Sequence, residues 1–484
     1  MSDDAAAITY LHQVFAAQKA AFLKDQYPSV AARQADLHKL AGMMMNNREN
    51  IRQALKSDFA VHDSGFADVI ETLGPSGRAV WVATQVEKWM ADEDKELDAQ
   101  VYGSATAKLH WEPKGVIGAL SPFNFPFELS IGPLCEQLAS GNRIIIKPSE
   151  LSPASSKLIK EMINATFPAD KIEVVLGGVE LATEFSTLKW DHLMYTGSPA
   201  VGKLVMKAAS AKLVPVTLEL GGKCPAIICK DGLNETNIQS IMGSKIMKSG
   251  QMCVSVDTVY LHTSQLEEFI QGTKDYMKKI GPYSTSDACC GIITERHLDR
   301  LVRLYDEAKA SGAKVVDLED GQVVNRKTRQ MGISLVINPG KDCAVYKEEV
   351  FGPLINVQTY DDIKSCVAEI NAGERPLGLY VYSDENETDI AYVLENTTSG
   401  GVSVNTAVLQ AAIPSLPFGG IGNSGMGVHH GVEGFREFSN PKGVVRKGKA
   451  PDMLAAFYPP YSSALGLADH VFAQAASALA PAAA

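Results

Sequence analysis

The chain has 484 residues, 45% hydrophobic and 21% charged, which suits a folded protein of two or three domains and excludes a disordered or fibrous one. A net charge of −11 argues against nonspecific nucleic-acid binding, and no apolar run is long enough to span a bilayer. Eight cysteines over this length make no disulfide framework, and none stands at zinc spacing, so no metal is expected.

Met1 to Phe22 reads as an amphipathic helix carrying Asp3 and Asp4, without the basic start and apolar core of a secretion signal. The expected compartment is the cytoplasm. Asp98 to Glu112 alternates small, aromatic and polar residues around Gly103-Ser104, a hairpin pattern. Gly115 to Leu120 and Arg143 to Lys147 read as buried strands. After the second, Ser152 is placed to cap a helix that starts at Pro153 and turns Leu158, Ile159, Met162 and Ile163 inward. Ile172 to Leu176 and His192 to Tyr195 are the next strands. This β-α-β rhythm predicts an α/β fold with a Rossmann-like, doubly wound sheet and a cofactor at the strand ends. A second α/β rhythm follows Glu219: a strand at Pro225 to Cys229, a helix at Asn237 to Lys248, and a strand at Thr258 to His262. Pro441 to Lys449 is basic and reads as a partner strand for the 98–112 hairpin, the two forming an arm that pairs with another subunit. From Pro459 the chain turns alanine-rich, and a frayed end is expected.

Three polar residues stand in glycine- or proline-punctuated turns. Asn124, framed by Pro122, Phe123, Phe125 and Pro126, is either an ordinary turn asparagine or a preorganised amide donor for an oxyanion. Glu219 interrupts the apolar positions Val214, Val216, Leu218 and Leu220, and is either an outward strand position or a buried general base. Cys253, after Gly250-Gln-Met, is either a core cysteine or a nucleophile; lying past a helix C-terminus, it gains no acidity from that dipole. Six other cysteines, Cys135, Cys224, Cys229, Cys290, Cys343 and Cys366, read as buried hydrophobes. In Tyr195-Thr-Gly-Ser-Pro-Ala-Val-Gly202, Gly197 and Gly202 permit close backbone approach, and the free amides of the following helix attract phosphate. Lys147 and Glu150 end a central strand, where they hold ribose hydroxyls or simply face solvent.

Taken together, Pro122-Phe-Asn-Phe-Pro126, Lys147-Pro-Ser-Glu150, Thr196-Gly-Ser198, Leu218-Glu-Leu-Gly-Gly-Lys223, Gly250-Gln-Met-Cys253, Glu348-Glu-Val-Phe-Gly-Pro353 and Pro417-Phe-Gly-Gly420 resemble the NAD(P)-dependent aldehyde dehydrogenase superfamily over residues 100–450. His430-Gly431 with Phe435 and Phe438-Ser439 resembles its class 3 branch. The resemblance implies Cys253 as nucleophile, Asn124 with the Cys253 amide as oxyanion site, and Glu219 as the base for thioester hydrolysis. It also implies Lys147 and Glu150 on the adenosine ribose, and Gly197, Ser198, Gly202 and Leu220 in the cofactor site. Glu349 falls on the nicotinamide ribose and Phe351 beside the nicotinamide. NAD is favoured, with NADP as the alternative, because Glu150 repels a ribose phosphate. Implied too are an aldehyde substrate, aromatic or aliphatic, and a homodimer. The implied domains are a cofactor domain (1–97 and 115–219, rejoined by 418–434), a catalytic domain (220–417), an arm (98–114 and 435–458) and a tail (459–484). Phe123 departs from the family's usual tryptophan. The small, apolar run Thr406-Ala-Val-Leu-Gln-Ala-Ala-Ile413 is expected to line a substrate tunnel. Transfer of the acyl group to coenzyme A, and a non-catalytic reuse of the fold, are the alternatives.

Overall fold

The structure, a computed structural model, describes residues 3–321, 323–450, 452, 454, 458, 459, 461 and 464–479. Two compact units emerge: residues 1–86 with 113–438, and residues 87–112 with 439–484.

The first unit contains two large sheets. One runs in the order Gly425–Met426, Val216–Leu220, His192–Gly197, Val116–Leu120, Arg143–Lys147, Ile172–Val174, parallel except for Gly425–Met426 at the edge. In chain order the five parallel strands lie 5-4-1-2-3, so the winding direction reverses between Val116–Leu120 and His192–Gly197. Ligands of such sheets bind beyond the carboxyl ends of the strands at that reversal. The strand bodies are continuous apolar runs because both faces are covered. Leu11 and Val14 of the helix Asp3–Lys24 pack with Val116, Ile145 and Leu193 in one core. The helix Pro153–Thr166 buries Ile159, Met162 and Ile163. Its start differs from expectation. The Ser152 hydroxyl makes no capping bond; instead the Asp58 carboxylate accepts the Ala154 and Ser155 amides at 2.9 and 2.8 Å. A buried acid delivered by an earlier helix outcompetes the local hydroxyl, and its charge suits a helix N-terminus.

The other sheet has seven strands, ordered Lys314–Asp317, Ser334–Ile337, Leu354–Tyr360, Thr258–His262, Pro225–Ile228, Gly378–Tyr382, Gly401–Val404. Only Lys314–Asp317 is antiparallel. The helix Glu235–Ile246, capped by the Asn234 side chain on the Asn237 amide at 2.9 Å, stops two residues before the expected Lys248. Lys248 and Ser249 take left-handed backbone angles (φ 54° and 52°) in the turn Met247–Gly250, which no α-helix accommodates.

The second unit holds a three-stranded sheet in the order Glu93–Lys95, Thr106–Pro113, Ser439–Arg446. The expected hairpin at Gly103-Ser104 does not form. Asp98 caps a helical turn, Ala99–Tyr102, by accepting the Gln100 amide at 2.8 Å, so Thr106–Pro113 pairs with the earlier Glu93–Lys95. Within the alanine-rich tail, Ala464–Leu479 is helical, as alanine's helix propensity permits. The terminal Ala-Pro-Ala-Ala-Ala lies outside the described residues.

Candidate functional site

Three predicted residues, Lys147, Gly197 and Leu220, end strands at the carboxyl side of the six-stranded sheet. Leu120 pairs with Lys147 on one side and Tyr195 on the other, and Gly197 pairs with Leu220. The Lys147 and Leu220 strands are three spacings apart, about 14 Å at the usual strand separation. Lys147, 3% exposed, gives its ammonium to the more exposed Glu150 at 2.6 Å. Ser198 caps the helix Pro199–Ser210, accepting the Val201 amide at 3.4 Å. The two glycines are also closely approached from within the chain. A Cβ at Gly197 would fall 2.2 Å from the Tyr195 hydroxyl, and one at Gly202 2.7 Å from a Leu220 methyl. The groups that approach them are this chain's own side chains.

Glu219 is 3% exposed, which removes the outward reading: both faces of its strand are covered. Neither carboxylate oxygen has a hydrogen-bond partner. His429 Nε2 stands 4.0 Å away. Burial, then the Glu437 charge, pushes the Glu219 carboxyl well above the usual range. A carboxyl so placed holds its proton to higher pH than an ordinary carboxylate does.

Cys253 is half-buried, in the loop between Met247–Gly250 and the strand Thr258–His262. Burial pushes its thiol up to about 12, and the nearby Glu349 and Glu219 carboxylates add to the shift. Both acids therefore reach the sulfur electrostatically. Asn124, 3% exposed, donates from Nδ2 to the Gln251 carbonyl at 3.0 Å, two residues before Cys253. The other seven cysteines are all buried and unpaired. Among the described residues, no cluster of His, Cys, Asp and Glu is arranged for a metal.

Glu349 is packed against the glycine turn after Glu219; a Cβ on Gly221 would lie 2.3 Å from its carboxylate. Burial and Asp257 raise its pKa to about 7, against the Gly222 amide, Lys223 and Arg300. Its Oε1 is buried with no hydrogen-bond partner, so it can accept from a ligand hydroxyl. Phe351, with left-handed φ of 46°, stands 6.0 Å from the Phe123 ring, and Phe123 lies 5.3 Å from His297. The structure thus brings Asn124, Glu219, Cys253 and Glu349 to one locality, and sets Lys147, Glu150 and Ser198 along the sheet edge.

Sequence reading missed the polar support behind this locality. Arg78 donates to both Glu136 oxygens and, at 3.2 Å, to His429 Nδ1. Lys248 reaches Glu71. These partners are over fifty residues apart, and no local pattern links them.

Comparison with known proteins gives a consistent result. The model of the aldehyde dehydrogenase family matches residues 4–444. A protein of Caulobacter vibrioides named "Probable coniferyl aldehyde dehydrogenase" is 36% identical over 464 residues, 94% of this chain and 95% of that protein. A Mus musculus protein named "Aldehyde dehydrogenase, dimeric NADP-preferring" is 33% identical over 429 residues, 88% of this chain and 92% of its own length. The solved structure of Staphylococcus aureus AldH in a substrate-bound state superposes with a TM-score of 0.90 at 30% identity, covering 96% of this chain and 99% of that one.

Proposed function

The chain belongs to the aldehyde dehydrogenase family, and on that footing we propose that it oxidises an aromatic or medium- to long-chain aliphatic aldehyde, coniferyl aldehyde being the lead candidate, to its carboxylic acid with NAD or NADP. One observation carries the reading: a half-buried thiol flanked by two buried carboxylates, in a turn tied to an amide side chain.

The residues at the sheet edge fit a dinucleotide. Glu349 offers an unpartnered buried carboxylate oxygen for a ribose, Ser198 heads a helix N-terminus suited to phosphate, and Lys147 with Glu150 suits the second ribose. Gly197, Gly202 and Leu220 shape that edge, and Phe351 packs over the ring end. The cofactor, when bound, supplies the two-electron acceptor for aldehyde oxidation. The protein's own groups do the rest. Cys253 gives its thiol proton to solvent as the sulfur attacks the aldehyde carbon, and the new oxyanion is held by Asn124 and the Cys253 amide. Loss of two electrons and one hydrogen from that carbon leaves a thioester on Cys253. Glu219 takes a proton from water, the water oxygen attacks the thioester, and acid departs as the thiol re-forms. Hydrolysis, rather than transfer to coenzyme A, follows from a base held at this point. The direct test is a panel of aromatic and aliphatic aldehydes with both cofactors; no cofactor reduction with any aldehyde would refute the reading.

Glu150 leaves its carboxylate partly open beside a ribose position, so NAD is favoured. Glu150→Gln is expected to shift the ratio of kcat/KM for NADP over NAD upward by roughly 5- to 10-fold, one charge contact's worth. A ratio that does not move would free Glu150 from cofactor choice.

The run 406–413 contributes to the apolar approach. Val408, Ala411, Phe418 and Cys253 are half-buried hydrophobics packed on the same core, whereas Ala412 is exposed. Ala411→Phe should raise KM for bulky aldehydes by about 10-fold and leave that for acetaldehyde nearly unchanged. Equal effects on both would place Ala411 outside the substrate path.

The six-stranded part (1–97, 115–219 and 418–434) serves as the cofactor domain and residues 220–417 as the catalytic domain. In the arm, Ser439–Arg446 is an edge strand with exposed Val444 and Val445, suited to pairing with a second copy. A homodimer and, given eight unpaired thiols, a cytoplasmic setting complete the proposal. Among the described residues, no helix is long and apolar enough to cross a membrane.

A further inference from the structure

Behind the Cys253 turn lies a buried ion pair that the mechanism above does not use. Lys248 and Glu71 side chains are both 0% exposed, with Nζ 3.2 Å from Oε1. Glu71, on the π-helical segment Ala67–Leu73, uses its other oxygen to accept the backbone amides of Phe127 and Glu128 at 3.0 and 3.1 Å. Those two residues directly follow the loop that carries Asn124. Lys248 sits five residues before Cys253. Its carbonyl accepts the Gln251 backbone amide at 3.1 Å and the Gln251 side-chain amide at 3.0 Å. The Gln251 carbonyl in turn accepts Asn124 Nδ2.

The contacts therefore close into a ring: Asn124 to Gln251, Gln251 to Lys248, Lys248 to Glu71, and Glu71 back to the Asn124 loop. The ammonium also lies 4.0 Å from the Phe59 ring centre and 5.1 Å from that of Phe125, the neighbour of Asn124. Its second polar contact, after Glu71, is His62 Nε2 at 2.7 Å. The other His62 nitrogen, Nδ1, donates to the Asp63 carbonyl at 3.0 Å, so Nε2 is free to accept. Lys248 and Ser249 both hold left-handed backbone angles here, and the Lys248 side chain is fully buried.

We infer that Lys248 and Glu71 form an internal clamp which sets the spacing between the Asn124 amide and the Cys253 turn. They are positioning residues, acting through Asn124 and the turn without touching substrate. The inference rests on the reading of Asn124 and the Cys253 amide as the oxyanion site. A displacement of about 1 Å between such donors costs roughly 100-fold in rate. A surface pair would not hold that tolerance; one excluded from water, with every partner named above, does.

Removing one partner alone strands a buried charge, so the test is the doubly neutral variant K248M/E71Q, compared with N124A. Three readouts are taken: the pre-steady-state rate of cofactor reduction with saturating aldehyde, the rate of Cys253 alkylation by iodoacetamide, and thermal melting. In K248M/E71Q the reduction rate should fall about 10- to 100-fold while alkylation, which uses no oxyanion site, keeps its rate. N124A should fall at least as far, and adding it to the double variant should cost little more, since both act through the same donor. A double variant within twofold of the parent overturns the clamp. So does one that fails to fold, which would assign the pair to stability alone. If N124A itself leaves reduction unaltered, the oxyanion reading of Asn124 fails instead.

Discussion

Changing Cys253 to alanine is expected to lower aldehyde turnover by at least about 10⁴-fold while cofactor affinity stays within about a factor of two. No other sulfur can take its place. Cys224 is the nearest by contact, but its thiol is wholly buried, donates to the Cys253 carbonyl at 3.2 Å and accepts the Gly378 amide at 3.3 Å. Burial also pushes the Cys224 thiol far above its ordinary value. Cys253 is itself kept neutral in the free protein, its thiol pushed up to about 12 by burial and by Glu349 and Glu219. That has a measurable consequence, because the thiolate alone is alkylated. Iodoacetamide should label cofactor-free protein slowly at pH 7, and the rate should climb about tenfold per pH unit up to pH 10 without a plateau. A plateau near pH 8–9 would describe an ordinary exposed thiol and remove the two carboxylates from its surroundings. Calorimetric titration of the alanine variant with NAD and NADP checks the other half of the expectation.

The strands of the two large sheets were legible in the sequence because they are buried on both faces and need no alternation. Arg143–Lys147 and Thr258–His262 fall where the apolar runs put them. Local readings failed where a distant group decided the outcome. Ser152 lost its capping role to Asp58, almost a hundred residues earlier. The helix expected to reach Lys248 ended at Ile246, because Lys248 is drawn backwards into a pair with Glu71. At Asp98 the opposite happened: a strong local cap overrode a plausible alternating pattern. In the site, local chemistry left Asn124, Glu219 and Cys253 each with two meanings. Topology resolved part of this. Glu219 pairs in register with Thr196 and Gly425, so its strand lies inside the sheet and the carboxyl must be buried. Glu349 was picked out by resemblance alone, and nothing in its neighbourhood announced the close approach to Gly221.

Glu219→Gln should separate the two halves of the reaction. Glutamine keeps the shape of the side chain, so the first turnover should still yield a burst of reduced cofactor approaching one per active site. The steady-state rate should fall by about 10² to 10⁴, the usual contribution of a positioned base. The surroundings of Glu219 say why this residue is suited to the second half. Arg78 can only donate, so His429 Nδ1 accepts from it and the ring proton sits on Nε2, facing Glu219 at 4.0 Å. That N–H faces the carboxylate from beyond hydrogen-bond distance, and both carboxylate oxygens remain without a partner. Burial and Glu437 raise its pKa well above the usual 4.5. The base form therefore grows as pH rises through that raised value, and the steady-state rate of the parent should climb over the same range. In the glutamine variant that rising limb should vanish, because no group at position 219 titrates. Rapid-mixing measurements of burst and steady state from pH 5 to 9 read both effects. A variant that keeps its steady-state rate, or one that loses burst and steady state together, would take Glu219 out of the hydrolytic step.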